Sequence, residues 1–268
     1  MRTTSTNLIS IPITNLASRK RRFSENFPVF EEPSSSGPLA MKRTKSSTDL
    51  KRSKSLAELI NMKNNKKLTV LLDLDETLIH TCSSLELQDE TLRSYENLNA
   101  FRISVEGEQM LVLQRPNLRE FLQKASSQFN LILFTASTEE YTRLILNQID
   151  PEKKYFKKCY FRQHCTPCLM KGSKGTKVYV KDLRVATKEM IPLERLVLVD
   201  NSSMSFAFQP DNGVPITSFM DDCNDNALMV LLQFLEELAV FADVRTHLNS
   251  IFHMQNYFQQ LARSTVGA

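Results

Sequence analysis

The sequence predicts an α/β fold in which a parallel sheet is covered by helices on both faces. Short, almost wholly apolar segments alternate along the chain with segments of helical periodicity, and such segments are typical of strands buried on both faces. Four of these strands are predicted, at residues 68–73, 131–135, 178–180 and 196–200. Their alternation with helices favours a Rossmann-like parallel sheet.

Helices are predicted where apolar residues recur at helical spacing. In residues 117–129 they recur at i, i+3, i+4 and i+7 after a candidate N-cap at Asn117. Ser137 and Glu140 have capping-box spacing, which predicts the start of a second helix. Later helices are expected at residues 225–240 and 244–261, and a hairpin turn is expected near Glu106 and Gly107.

The chain divides into two parts of opposite charge. Residues 1–67 contain 14 Lys and Arg against 5 Asp and Glu, whereas residues 68–268 contain 20 against 25. The first part is rich in Ser, Thr, Asn and Pro and has few large apolar residues, so it cannot bury enough surface to order itself. We expect a disordered basic tail over residues 1–65 and one folded domain over residues 66–262.

The tail has four interpretations. Basic clusters at residues 19–22 and 41–55 are typical of a nuclear localisation signal or a polyanion-binding arm, and equally of a solvated linker. The first 24 residues contain no acid, which is also compatible with a mitochondrial presequence. Ser55 and Glu58 have capping-box spacing and predict a short helix that leads into the domain.

Composition excludes several classes of protein. Five irregularly spaced cysteines do not make a disulfide framework, which favours an intracellular chain. The apolar run at residues 227–241 contains Glu236 and Glu237 and is too short to cross a bilayer, and no secretory signal is evident. Only six glycines are present, without a glycine-rich phosphate loop, which argues against an ATP-dependent kinase or ATPase. We expect neither a membrane span nor direct contact with nucleic acid.

Polar side chains follow the predicted strands at the point where each strand ends. In an open parallel sheet these ends share one edge, where ligands bind. A single carboxylate there would be ordinary, but several together indicate one polar site. The residues at the strand ends are Asp73, Asp75, Thr77, Thr135, Lys181, Asp200 and Asn201.

These residues carry a resemblance to a known family. "DLDETL" resembles the DxDxT signature of the haloacid dehalogenase (HAD) superfamily of aspartate-nucleophile phosphotransferases. "RPNLREFL", "LFTAST", "YVKDL", "VDNSS", "QPDNGVPI" and "DDCNDNAL" together resemble the small phosphatases of the RNA polymerase II C-terminal domain (CTD), over roughly residues 66–248. The resemblance implies a HAD-type parallel sheet. About 23 residues separate Thr77 from Phe101, too few for a large cap domain, and residues 150–177 would form a small β insertion beside an open groove.

The resemblance also implies a reaction. Asp73 would be the nucleophile that forms an aspartyl-phosphate, and Asp75 the general acid and base, which favours a pH optimum on the acid side of neutral. Mg²⁺ would be held by the Asp73 carboxylate, the Asp75 backbone carbonyl and Asn201.

The remaining roles come from the same resemblance. Lys181 would neutralise charge on the phosphoryl group and be oriented by Asp200, and Thr135 would hold a phosphoryl oxygen. Thr77 would steady the loop after the nucleophile, and Arg162 would lie near the substrate phosphate. His80 is interpreted as a packed or capping side chain.

An open groove favours a phosphorylated protein as the partner, bound as an extended segment with phosphoserine or phosphothreonine. The CTD is the substrate implied by kinship, and a nuclear or nucleocytoplasmic location goes with it. Two alternatives remain at this point: a nuclear-envelope phosphatase of lipid-regulating proteins, which would carry an N-terminal membrane helix, and a non-catalytic binding module resembling a mitochondrial import receptor. A zinc site is a further alternative, at Cys159, His164, Cys165 and Cys168.

Overall fold

The computed structural model of the chain describes residues 67–83, 95, 98–169, 177–184 and 191–266. The expected tail, its localisation signals and the helix expected from Ser55 lie outside the described residues. In chain order the described strands are β1 (Thr69–Leu72), β2 (Ile79–Ser83), β3 (Ala100–Val105), β4 (Glu108–Gln114), β5 (Asn130–Phe134), β6 (Phe156–Tyr160), β7 (Thr166–Leu169), β8 (Lys177–Val180), β9 (Leu196–Asp200) and β10 (Gly213–Pro215). The helices are α1 (Leu118–Gln128), α2 (Glu139–Ile149), α3 (Ala227–Leu238), α4 (Val244–Phe252) and α5 (Met254–Val266).

The predicted parallel sheet is confirmed. Five strands lie in the order β10–β9–β1–β5–β6, and each neighbouring pair is parallel. Every residue of β1 and β9 is buried, as are the last four residues of β5. Burial on both faces explains why these strands are apolar runs without alternation. The carboxyl ends of β9, β1 and β5 therefore lie side by side at one edge.

The predicted strand at residues 178–180 exists but does not belong to this sheet. It is part of β8, which pairs antiparallel with β7 as a two-stranded sheet. Only Val180 of β8 is fully buried, so β8 is not a strand covered on both faces, as a strand of the parallel sheet would be. The place at the edge of the parallel sheet is taken by β6, "FKKCY", whose two lysines are exposed.

The helices begin and end close to the predicted positions, with two corrections. Asn117 does precede α1, but it has left-handed backbone (φ 63°) and its side chain makes no capping hydrogen bond. The helix expected at residues 244–261 is divided into α4 and α5 by His253, which is also left-handed (φ 51°). Each helix in the described part of the chain is either too short or too polar to pass through a lipid bilayer.

A three-stranded antiparallel sheet, β2–β4–β3, follows the first parallel strand. The predicted hairpin is confirmed, because β3 and β4 are joined by Glu106 and Gly107, both with positive φ (52° and 88°). Two such residues form the turn whose twist matches that of paired strands. Phe219 packs beneath this sheet with Leu111 and Leu113 and so ties it to a loop beside the parallel strands.

Candidate active site

Asp73 lies where β1 ends and is almost fully buried, at 5 % exposure. Its backbone N–H donates to the carbonyl of Val199 on β9 (3.0 Å), so the sheet itself fixes its position. One carboxylate oxygen accepts from Lys181 Nζ (2.5 Å) and the other from Thr77 Oγ1 (3.1 Å). A buried carboxylate is thus held on both oxygens at the edge of the sheet.

Lys181 lies between two carboxylates. Its Nζ donates to Asp73 and to Asp200 Oδ2 (2.6 Å), and only 2 % of the residue is exposed. Asp200 is oriented in turn by the backbone N–H of Ser202 (2.8 Å). Burial alone would lower the pKa of Lys181, but Asp200 and Asp73 outweigh burial and raise it above its ordinary value. The lysine is therefore a permanent cation in this pocket.

One cation does not balance these carboxylates. Burial and the charge of Asp200 raise the pKa of Asp73 to about 7, although Lys181 acts in the opposite direction. Burial is the largest cause of this shift, and the negative charges of Asp200 and, to a smaller extent, Asp75 add to it.

Asp75 projects into a network of hydroxyl groups. Its Oδ2 accepts from Ser137 Oγ (2.6 Å) and, more weakly, from Thr135 Oγ1 (3.4 Å). Its Oδ1 accepts from Tyr141 Oη (2.6 Å), which also pairs with Thr81 Oγ1 (2.6 Å). Burial, followed by the charge of Asp75, raises the pKa of Tyr141 well above its ordinary value, so its hydroxyl stays protonated and available as a donor.

The turn between Asp73 and Thr77 is held in place by hydrogen bonds from other parts of the chain. Glu76 has positive φ (55°), its N–H donates to Ile79 O (2.7 Å), and its carbonyl accepts from Phe219 N (2.7 Å). The carbonyl of Thr77 accepts from the buried Arg115 Nη1 (3.0 Å). The turn that follows Asp73 and Asp75 is therefore held by Phe219 and Arg115, which belong to other parts of the chain.

Arg162 and Asn201 border the cluster without hydrogen-bonding to its carboxylates within the described part of the chain. Arg162 donates from Nε to Ala136 O (2.6 Å) and from its backbone to Ser137 O (2.9 Å). Asn201 follows β9 and donates from Nδ2 to Ser218 Oγ (3.0 Å). That bond assigns the amide nitrogen to Ser218, so the carbonyl oxygen is the atom of Asn201 with ligand chemistry.

The donor set fits a hard divalent cation. Carboxylate, backbone carbonyl and amide oxygens are the ligands that Mg²⁺ prefers. A cation bound to Asp73 would counter the burial and the neighbouring negative charge that raise the pKa of this carboxyl group. For zinc the structure gives no support: within the described residues, no group of three or more His, Cys, Asp or Glu side chains is arranged to hold a metal.

Two residues of the site were missed from the sequence. Ser137 was assigned to a capping box, but α2 begins at Glu139 and its N-cap Thr138 makes no side-chain bond, whereas Ser137 bonds Asp75. Tyr141 was assigned only to an apolar stripe. The sequence did contain a signal for both residues. Ser137 carries a hydroxyl two residues beyond the predicted strand end at residue 135, and Tyr141 carries a second hydroxyl one helical turn later.

The chain is similar to several known phosphatases. A model of the family described as NLI interacting factor-like phosphatase matches residues 68–245. CTD small phosphatase-like protein 2 of Dictyostelium discoideum is 39 % identical over 74 % of this chain and 32 % of its own length. CTD nuclear envelope phosphatase 1B of Danio rerio is 34 % identical over 72 % of this chain and 75 % of its own.

A solved structure supports the fold. The structure of Fcp1, an essential RNA polymerase II CTD phosphatase, matches with a TM-score of 0.54 and 15 % identity over 72 % of each chain. This chain thus spans about a third of the Dictyostelium relative and most of the zebrafish one. The extent of the family match and the identity to these relatives show that the chain belongs to the NLI interacting factor-like phosphatase family.

Proposed function

We propose that this chain is a Mg²⁺-dependent protein serine/threonine phosphatase that acts through an aspartyl-phosphate on Asp73. The observation that carries the proposal is the buried Asp73 carboxylate, bonded by Lys181 and Thr77, with Asp75 two residues further on in a separate network of hydroxyl donors. This arrangement supports the proposal that Asp73 attacks phosphorus and that Asp75 exchanges a proton.

In the first step an oxygen of Asp73 forms a bond to phosphorus as the bond from phosphorus to the serine oxygen breaks. Asp75 gives its proton to that leaving oxygen. In the second step Asp75 takes a proton from water, whose oxygen displaces Asp73 from phosphorus and releases phosphate. Lys181, oriented by Asp200, stabilises the charge on the phosphoryl oxygens in both steps.

The remaining predicted residues have supporting roles. Thr135 would donate to a phosphoryl oxygen, and Thr77 holds Asp73 and steadies the turn. Arg162 would contribute a cation at the mouth of the pocket. The Asp73 carboxylate, the Asp75 backbone carbonyl and Asn201 would hold Mg²⁺. When bound, Mg²⁺ screens the repulsion between the carboxylate and the phosphate and polarises the phosphoryl group.

The substrate class we propose is phosphoserine or phosphothreonine in an extended protein segment. The CTD of RNA polymerase II should be tested first, because the similar solved structure is that of a CTD phosphatase. Relatives named as nuclear envelope phosphatases make other nuclear or lipid-regulating phosphoproteins the second choice. The same names favour a nuclear or nucleocytoplasmic location over the mitochondrial alternative.

Hydrolysis of p-nitrophenyl phosphate by the full chain is the deciding experiment. We expect turnover in Mg²⁺ that is lost in EDTA and lost in Asp73→Asn, which keeps the side-chain volume. Acid quenching during turnover should trap phosphate on the wild-type chain and not on the variant. A folded preparation with no turnover between pH 5 and pH 8 would instead support the non-catalytic binding module.

A further inference from the structure

A cavity of about 430 Å³ lies beside the active site on the side of the two-stranded sheet. Tyr179 and Pro167 form its apolar wall, and Arg162, Glu139 and Cys165 also line it. Tyr179 and Pro167 are directly paired across β7 and β8, so their side chains share one face of that sheet. We refer to it as the Tyr179 cavity.

The Tyr179 cavity and the active site share one wall. Cys165 Sγ donates to the carbonyl of Thr135 (3.6 Å), and Arg162 binds the carbonyls of Ala136 and Ser137. The hydroxyls of Thr135 and Ser137 bind Asp75 in the active site. The two spaces are therefore separated by the thickness of a single loop, residues 135–137.

Arg162 presents unused hydrogen-bond donors at the cavity. Its guanidinium lies over the ring of Tyr179 (5.4 Å to the centroid), which holds the planar group in one orientation. Nε is occupied by Ala136 O. Among the described residues, the terminal nitrogens of Arg162 make neither a hydrogen bond nor an ion pair, and the residue is exposed. A fixed guanidinium with free donors suits a carboxylate or a phosphate.

The acid on the cavity wall does not cancel this charge. Glu139 is engaged by Arg143 Nε (2.8 Å) and by Gln163 Nε2 (2.9 Å), so its charge is already paired. Lys177 lies two residues before Tyr179 on β8, on the same face and exposed. Arg162 on the cavity wall and Lys177 beyond it on the same face of the sheet therefore give this side a positive charge.

We infer that the Tyr179 cavity is a substrate subsite for an anionic side chain, carboxylate or phosphate, one or two residues away from the phosphoserine that is hydrolysed. The inference rests on the proposed phosphatase function and adds a substrate preference to it. An extended chain advances about 3.3–3.6 Å per residue, so one or two residues are enough to pass the single loop that separates the two spaces.

The test is a series of phosphoserine peptides that differ at one flanking position, turned over by the full chain in Mg²⁺. Gln, Glu, Lys or a second phosphoserine is placed in turn at each position from −2 to +2. On one side of the phosphoserine we expect kcat/KM for Glu to exceed that for Gln by about fivefold, and Lys to fall below Gln. The preference should shrink in 0.5 M NaCl.

The second phosphoserine separates the two anion sources. A gain for phosphoserine without a gain for Glu would assign the subsite to phosphate, and equal gains would assign it to either anion. Each result supports the inference. Equal kcat/KM for Gln, Glu, Lys and phosphoserine at every position would overturn it, while Asp73-dependent turnover of the Gln peptide would still support the proposed function.

Single substitutions then test which residues cause the preference for an anionic side chain. Lys177→Gln and Tyr179→Leu should reduce the Glu-to-Gln ratio, and Arg162→Gln should bring it close to one. Arg119→Gln removes an exposed arginine away from this cavity and should keep the wild-type ratio. If Arg162→Gln lowers turnover of every peptide while Lys177→Gln and Tyr179→Leu keep the full ratio, Arg162 serves the reacting phosphate and the cavity is not a subsite.

Discussion

Asp75 differs from Asp73 in how its side chain is held. Asp73 is bonded by a lysine and a threonine, whereas Asp75 is bonded by hydroxyl groups on both oxygens. Hydroxyl groups can donate to a carboxylate and can also accept from a carboxylic acid. The surroundings of Asp75 therefore suit a group that alternates between the two protonation states, as a general acid and base must.

Tyr141→Phe tests this arrangement. Loss of the hydroxyl frees one oxygen of Asp75 and should lower kcat for a phosphoserine peptide about tenfold, a part of what a general acid contributes. The effect on p-nitrophenyl phosphate should be much smaller, because nitrophenolate leaves without a proton. Steady-state kinetics on both substrates measure the difference.

Tyr257→Phe is the matched control, since that hydroxyl pairs with Ser203 and not with a residue of the site. It should leave the ratio of the two kcat values unchanged. Equal losses on both substrates in Tyr141→Phe would mean that Tyr141 acts in phosphate binding or folding rather than in placing the acid.

At the scale of elements, Arg115 connects three segments. It is 1 % exposed and donates to Asp225 from Nε and Nη2 (2.8 Å each), to Thr77 O (3.0 Å) and to Thr217 O (2.9 Å). The catalytic turn is thereby joined to the end of β4 and to the loop before α3. Burial of the guanidinium is tolerated because its donors are directed at acceptors.

Arg115→Met should lower the free energy of unfolding by about 3–5 kcal/mol, since it removes the cation paired with Asp225 and the donor to the carbonyls of Thr77 and Thr217. Urea denaturation measures this change. Arg143→Met is the control, because the ion pair of Arg143 with Glu139 is largely exposed and should contribute little. Similar changes for the two variants would contradict the role given to Arg115.

The strands and loops also show which parts of the fold and of the site could be predicted from the sequence. Strands β1, β5 and β9 were predictable because burial on both faces makes them apolar throughout. Strand β6 was not, because an edge strand tolerates the exposed lysines of "FKKCY". Ser137 was misassigned since a capping box and a loop hydroxyl have the same spacing in sequence, and only tertiary contacts distinguish them.

At the scale of the whole molecule, folding collects like charges from distant parts of the sequence. Asp73 and Asp200 both bond Lys181, and Asp75 lies nearby in its own network of hydroxyl groups, so three carboxylates gather close to one lysine. Proteins accept such a cost at functional sites, which fits the phosphate chemistry proposed for this one. The cost should be visible as a dependence of stability on pH and on metal.

The pKa of Asp73 rises from 3.8 to about 7 on folding, with burial as the largest cause. Between these values the folded chain holds a proton that the unfolded chain has lost. Stability contributed by this group is therefore complete below about pH 4 and is lost as pH rises through about 7. In EDTA, the wild type should lose at most about 1.4 kcal/mol per pH unit relative to Asp73→Asn across this range.

Mg²⁺ should reverse that loss, because it binds the ionised carboxylate and not the acid. We expect Mg²⁺ to raise the Tm of the wild-type chain more at pH 7.5 than at pH 5.5, and to have little effect on Asp73→Asn at either pH. Thermal unfolding of both chains, with Mg²⁺ or EDTA, measures this. If the stability of the wild type and of Asp73→Asn depends on pH in the same way in EDTA, Asp73 keeps its ordinary pKa. Any stabilisation by Mg²⁺ would then not come from neutralising excess negative charge at Asp73.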